Sequence, residues 1–203
     1  MGYMLLILIV LGIIFYAYKD RRINDDLDLL PEQFVVFDLE TTGLDATKHE
    51  IIEIGAMRVF RESTTPQTFQ ALVKPQVNIP AKIADRTGIT QEMLDRDGQV
   101  LADALAAFAA FVGDAGLVSF NASFNMEFLN AATTRCNMRP LNNPVSCALK
   151  MARRAWPNRK SYRLADIVKD ENLDTDGTHR ALKDCQHILA VYEAAAFKLK
   201  SVN

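Results

Sequence analysis

The sequence is poor in the residues that specialise a chain. Three cysteines, one tryptophan and three histidines are spread over 203 residues, and its nine glycines and seven prolines form no biased tract. So few cysteines exclude a disulfide scaffold. Cys136, Cys147 and Cys185 contain no C-x-x-C pair, which suits reduced thiols serving as small buried hydrophobes. Without repeats or low-complexity tracts, and with 49% hydrophobic residues, the chain is not a disordered protein. Net charge is nearly absent as well, at −2. Residues 1–33 hold three basic and five acidic side chains, which leaves twenty of each sign in residues 34–203. Any nucleic-acid site must therefore be a local basic patch.

What is abundant is apolar surface, and it is concentrated. Residues 1–18 carry no charge, and 16 of the 18 are hydrophobic. A helix of that length rises about 27 Å, close to the ~30 Å hydrocarbon core of a bilayer. Tyr3, Tyr16 and Tyr18 stand where interfacial aromatics belong. A cleaved signal peptide would have a basic start and a small-residue cleavage site, but nothing basic precedes the run and Tyr16-Ala17-Tyr18 is a poor site. The expectation is an uncleaved single-pass anchor at 1–18, a charged tether at 19–33 and one domain at 34–203. Lys19, Arg21 and Arg22 follow the run directly, which places that domain in the cytoplasm by the positive-inside rule.

Within the domain, FVVFDLE (34–40), IIEIGAMRVF (51–60) and QTFQALVKP (67–75) read as three strands joined by short connections, an antiparallel meander. Short helical fragments flank Thr87-Gly88, and VLADALAAFAAFVG (100–113) has helical spacing. LVSF (117–120) is a buried strand, followed by helices from Asn121 to about Arg135, near 145–155, 162–172 and 178–199. Strands first, then alternating strands and helices, predict a layered α/β domain with a mixed sheet.

Asp38 and Glu40 end an otherwise apolar strand and, two residues apart, project from one face. Adjacent buried carboxylates need a cation, so the pair makes a shelf for Mg²⁺ or Mn²⁺; a solvated strand end carries the same pattern. His179 and Asp184 form a second pair at the start of the last helix, where a neutral imidazole can serve as a general base and where a histidine can equally cap the helix. Asn121, Phe124 and Asn125 occupy a polar strand-to-helix corner.

Taken in order, FDLETTGLD (37–45), FNASFN (120–125) and HRALKDC (179–185) resemble the three signatures of the DEDDh 3′–5′ exonucleases, the family of the proofreading subunit of bacterial replicative polymerase. IIEIGA (51–56), LVKP (72–75) and TGIT (87–90) extend the resemblance over residues 34–195. It implies an RNase H-like three-layer fold with a mixed five-stranded sheet and a mechanism with two divalent cations, Mg²⁺ or Mn²⁺. On the matching positions Asp38, Glu40 and Asp184 are metal-binding carboxylates, with Asp38 bridging both ions, and His179 is the general base. Thr41, Thr42 and Leu44 shape the terminal-nucleotide pocket.

Two positions depart from the family pattern. Asn125 stands where the fourth carboxylate belongs, and Phe120 stands where a histidine is usual. An asparagine keeps a carbonyl oxygen for a metal-bound water but brings no charge, so Asn125 belongs to an impaired or inactive nuclease, or to a slow, manganese-demanding one.

The missing basic patch is at residues 128–165, which contain eight cations and no acid, with Trp156 and Tyr162 interleaved as stacking surfaces for bases. The same stretch reads as a solvated basic face or one that meets anionic lipid. Arg159 and Lys160, with Asn121 and Phe124, complete the expected substrate contacts. The substrate expected is the 3′ end of single-stranded DNA, with RNA as an alternative, and a non-catalytic nucleic-acid-binding protein is the rival to an enzyme.

Overall fold

The computed structural model describes residues 31–61, 65–173 and 180–201. The expected anchor at 1–18, most of the tether and His179 lie outside the described residues. Among the described residues no helix is long and apolar enough to cross a membrane.

β-branched and aromatic residues make Gln33–Thr41 (β1) the central strand, buried on both faces. It pairs antiparallel with Ile51–Phe60 (β2), which pairs antiparallel with Gln67–Leu72 (β3), so the meander forms as expected. Three helices follow: Ala81–Thr87 (α1), Gln91–Asp97 (α2) and Leu101–Val112 (α3). Gly116–Ser119 (β4) returns parallel to β1 and leads into Ala122–Arg135 (α4). Val145–Cys147 (β5) runs parallel to β4, ahead of Ala148–Ala155 (α5), Leu164–Asp170 (α6) and Ala181–Lys200 (α7). The strand order β3-β2-β1-β4-β5 is a mixed five-stranded sheet.

Alternation along β1 assigns its two faces. Val35, Phe37 and Leu39 join Leu105, Phe108, Phe128 and Leu129 of α3 and α4 in one core cluster. Phe34 and Val36 pack on the other side against Met151 of α5 and Ile188 and Tyr192 of α7. Asp38 and Glu40 continue this second row, so both aim toward α7.

One element differs from expectation. The helical pattern near 145–155 begins only at Ala148, because Val145–Cys147 pair with β4. Three buried residues are too few to display a period of two, so the strand is indistinguishable locally from the start of a helix. Cys147 and Cys185 are buried as expected, Cys136 is half-buried, and all three are free thiols.

The approach of α7 to the sheet depends on Gly55 in β2. A Cβ at this position would stand 2.4 Å from the Ala181 carbonyl carbon and the Leu182 nitrogen. Those are backbone atoms at the first turn of α7 and cannot swing aside. The Cys185 thiol also donates to the Gly55 carbonyl at 3.3 Å. Gly55→Ala is expected to lower the unfolding free energy by about 1–3 kcal/mol, measured by urea denaturation, because a single methyl forces α7 off the sheet.

Candidate active site

Three elements converge at the carboxyl end of β1. Asp38 and Glu40 come from the strand, Asp184 from the first turn of α7, and Asn125 from the first turn of α4. Ligand oxygens of Asp38, Glu40 and Asp184 all lie within 4.8 Å of one another. Glu40 is 5% exposed and Asp184 9% exposed.

Packing like charges out of water is costly, and the carboxyls register it. Burial pushes Asp38 up to about 7, with the Asp184 charge adding to the rise and the hydrogen bond from Asn125 opposing it. Glu40 is pushed up to about 8, by burial first and then by the Asp38 and Asp184 charges. Arg86, at the end of α1, partly counters this from 3.9 Å. An all-oxygen donor set this tight fits a hard divalent cation, whose charge relieves the repulsion.

Asn125 is 2% exposed, and its side-chain nitrogen donates to Asp38 Oδ1 at 2.8 Å and to Ser119 Oγ at 2.6 Å. The sequence pattern leaves the Asn125 carbonyl free to hold a metal-bound water. In the structure the amide N–H faces the cluster instead, bonded to both Asp38 and Ser119.

The cluster opens into a cavity of about 560 Å³, bordered by Leu44, Arg86, Asn121, Phe124 and Arg163 among others. Leu44, Asn121 and Phe124 stand at this cavity, with Leu44 77% exposed. Thr41 also borders it, but its hydroxyl donates to the Gly43 carbonyl at 2.7 Å. Thr42 does not border it. A register shift between Glu40 and Thr41 turns its side chain into the following loop, where Oγ1 accepts from the Glu50 amide at 3.0 Å and lies 3.2 Å from His49 Nδ1.

Six of the eight cations of the expected basic patch are exposed, and several of the eight are engaged by partners within the protein. Arg159 is 12% exposed and pairs with Asp170 and Glu171, each at 2.6 Å, so it clamps α6 and does not present a free charge to phosphate. Arg163 pairs with Asp166 at 2.7 Å, and Arg135 donates to the Ala46 and His49 carbonyls. Lys160 is exposed but does not border the cavity. Trp156 is 7% exposed, within the core on the α7 side, and the Tyr162 hydroxyl donates to its carbonyl at 2.6 Å, so neither ring is an open stacking surface. Counter-charges for Arg159 and Arg163 arrive immediately after the acid-free window, at residues 166–171. Arg86 went unnoticed in the sequence: a lone arginine before Thr87-Gly88 carries no local signal of its proximity to Glu40.

Residues 35–192 match the RNase_T family, described as Exonuclease. The DNA polymerase III subunit epsilon of Aquifex aeolicus is 40% identical over 167 residues, covering 82% of this chain and 80% of that protein. The PolC-type DNA polymerase III of Bacillus subtilis is 36% identical over 156 residues, which is 76% of this chain but 11% of that protein. Among solved structures, exonuclease I of E. coli, in a zinc-bound complex with single-stranded DNA, has a TM-score of 0.70 at 19% identity, covering 81% of this chain and 40% of that one. Exonuclease X in complex with 5′-overhanging duplex DNA has a TM-score of 0.64 at 25% identity, covering 83% of this chain and 93% of that one. The likeness makes the sheet and its helices an RNase H-like exonuclease fold.

The raised carboxyl pKa values carry a stability signature. Asp38 and Glu40 hold their protons in the folded state to about 7 and about 8, but lose them in the unfolded chain near 3.8 and 4.5. The folded state therefore binds more protons between these limits. Its stability in a chelator is expected to be greatest near pH 4 and to fall, by several kcal/mol, as pH rises toward 8. Saturating Mn²⁺ is expected to remove most of that slope, as read from urea denaturation across the pH range.

Proposed function

Because the chain belongs to the exonuclease family, whose members hydrolyse phosphodiester bonds with divalent metal ions, we propose that it removes nucleotides from the 3′ ends of single-stranded DNA at the cytoplasmic face of a membrane. The observation that carries this reading is the partly buried three-carboxylate cluster at the floor of an open cavity. Asp38, Glu40 and Asp184 hold two cations, Mg²⁺ or Mn²⁺. Such a pair, when bound, supplies a clamp on the attacking and leaving oxygens and favours an ionised water near neutral pH.

The rest is the work of the chain. His179, directly before Arg180, accepts the proton of the attacking water as a neutral imidazole. Leu44 and Phe124 offer apolar surface to the terminal nucleotide, and Asn121 offers hydrogen bonds. Arg86 stands half exposed beside Glu40, where a phosphate would meet its guanidinium. Residues 1–18 anchor the domain, a reading supported by their uncharged length and by the cations that follow them.

A second reading has its own observation. The amide of Asn125 donates to Asp38 where the family pattern has a carboxylate, which leaves three negative charges for two divalent ions. It favours a weakly active or inactive nucleic-acid-binding protein, and RNA remains the alternative substrate.

The readings separate in one assay of the full-length chain in detergent, on 3′-ended DNA and RNA oligonucleotides with Mg²⁺ or Mn²⁺. Wild type is expected to shorten DNA from its 3′ end and Asp38→Ala to show only background. Asn125→Asp is expected to gain at least about tenfold in rate, equivalent to about 1.4 kcal/mol of transition-state stabilisation. Wild type matching Asp38→Ala, with activity appearing in Asn125→Asp alone, overturns the enzyme reading. Release of the full-length chain from membranes at high pH overturns the anchor.

A further inference from the structure

A fourth acidic residue, Glu53, stands directly opposite Glu40 in the β1–β2 pair but is not part of the carboxylate cluster. Residues opposite one another in an antiparallel pair share a face, so Glu53 also points toward α7. It is completely buried. Its carboxylate is fully occupied by donors: Arg180 Nη2 at 2.6 Å and Nε at 3.0 Å, the Ala181 amide at 2.9 Å and Gln70 Nε2 at 2.8 Å. Four donors match the roughly four acceptor sites of a carboxylate, so none remains for a cation.

Three of those four donors belong to the start of α7. Arg180, the N-cap residue, makes no side-chain cap bond to its own helix. The Ala181 amide, which has no acceptor within the helix, is satisfied by Glu53 from the neighbouring strand. Glu53 thus caps α7 from outside, its negative charge at the positive end of a 20-residue helix. The Asp184 amide donates to the Arg180 carbonyl at 2.9 Å, so the first turn of α7 hangs from the residue that Glu53 grips. His179 is joined to that same residue by the preceding peptide bond.

We propose that Glu53 is a positioning residue for phosphodiester hydrolysis: through Arg180 and Ala181 it sets the height and rotation of α7, and thereby the place of Asp184 against Asp38 and Glu40. Gly55, two residues along the same strand, leaves α7 the room to be held there. The Arg180 guanidinium offsets part of the Glu53 charge, which still reaches Asp38 and Glu40 as the weakest of their like-charge neighbours. The proposal rests on the exonuclease reading above.

The test is Glu53→Gln in the full-length chain in detergent, with three readouts: amide hydrogen exchange over residues 181–184 without metal, Mn²⁺ affinity from the paramagnetic resonance of free Mn²⁺, and kcat and KM on a 3′-ended oligonucleotide. Exchange at the first turn is expected to speed up. Mn²⁺ affinity and kcat are each expected to fall about 10-fold or more, with KM little changed, the scale seen when a group orienting a metal ligand is lost. A folded Glu53→Gln chain with wild-type Mn²⁺ affinity and kcat, and only a lower melting temperature, overturns the proposal. If Glu53→Gln does not fold, Arg180→Lys keeps the charge but loses the two-point grip, and wild-type Mn²⁺ affinity in that variant overturns it equally. Wild type no faster than Asp38→Ala would instead refute the exonuclease reading, while Mn²⁺ affinity and exchange still decide the role of Glu53.

Discussion

Like charges repel most strongly where water is scarce, and the carboxyl end of β1 gathers three carboxylates within 4.8 Å in such a place. The rest of the molecule can be understood as the support for that arrangement. β1 is bonded on both edges and packed on both faces, so it cannot bend to separate Asp38 from Glu40. α7 is pressed onto β2 over Gly55, which brings Asp184 in from the opposite side. Two arginines offset part of the remaining charge: Arg180 pairs with Glu53, and Arg86 stands at the edge of Glu40. The sheet and helix thus hold open an electrostatic deficit suited to a divalent cation.

Much of this is legible in the sequence, because it is governed by local periodicity. The two-residue spacing of Asp38 and Glu40 requires a common face, and the apolar rows beside them require a buried strand. The helix bearing Asp184 declares itself by its own pattern. What was not legible depends on contacts between distant segments. Val145–Cys147 become a strand only because β4 lies alongside. Arg159 resembles a phosphate contact until α6 folds back with Asp170 and Glu171. Thr42 sits inside a signature, yet a register shift one residue earlier turns it away from the cavity. Glu53 lies in an apolar strand, and its partner is 127 residues away.

Asn125 shows how a single atom changes a site without disturbing its frame. The amide fits the space, bonds both Asp38 and Ser119, and leaves α4 in place. A carboxylate there would be a fourth like charge beside Asp38, whereas the amide opposes the rise in the Asp38 pKa. The substitution lowers repulsion in the cluster and, by the same act, lowers its total attraction for cations.

The position of α7 also bears on how the chain is made. Asp38 and Glu40 leave the ribosome early, whereas Asp184 follows only after the whole sheet has been synthesised. Until then the central strand has its acidic end without the helix that completes it. A nascent or prematurely terminated chain therefore holds an incomplete ligand set, and the cluster is complete only once α7 has docked on the sheet.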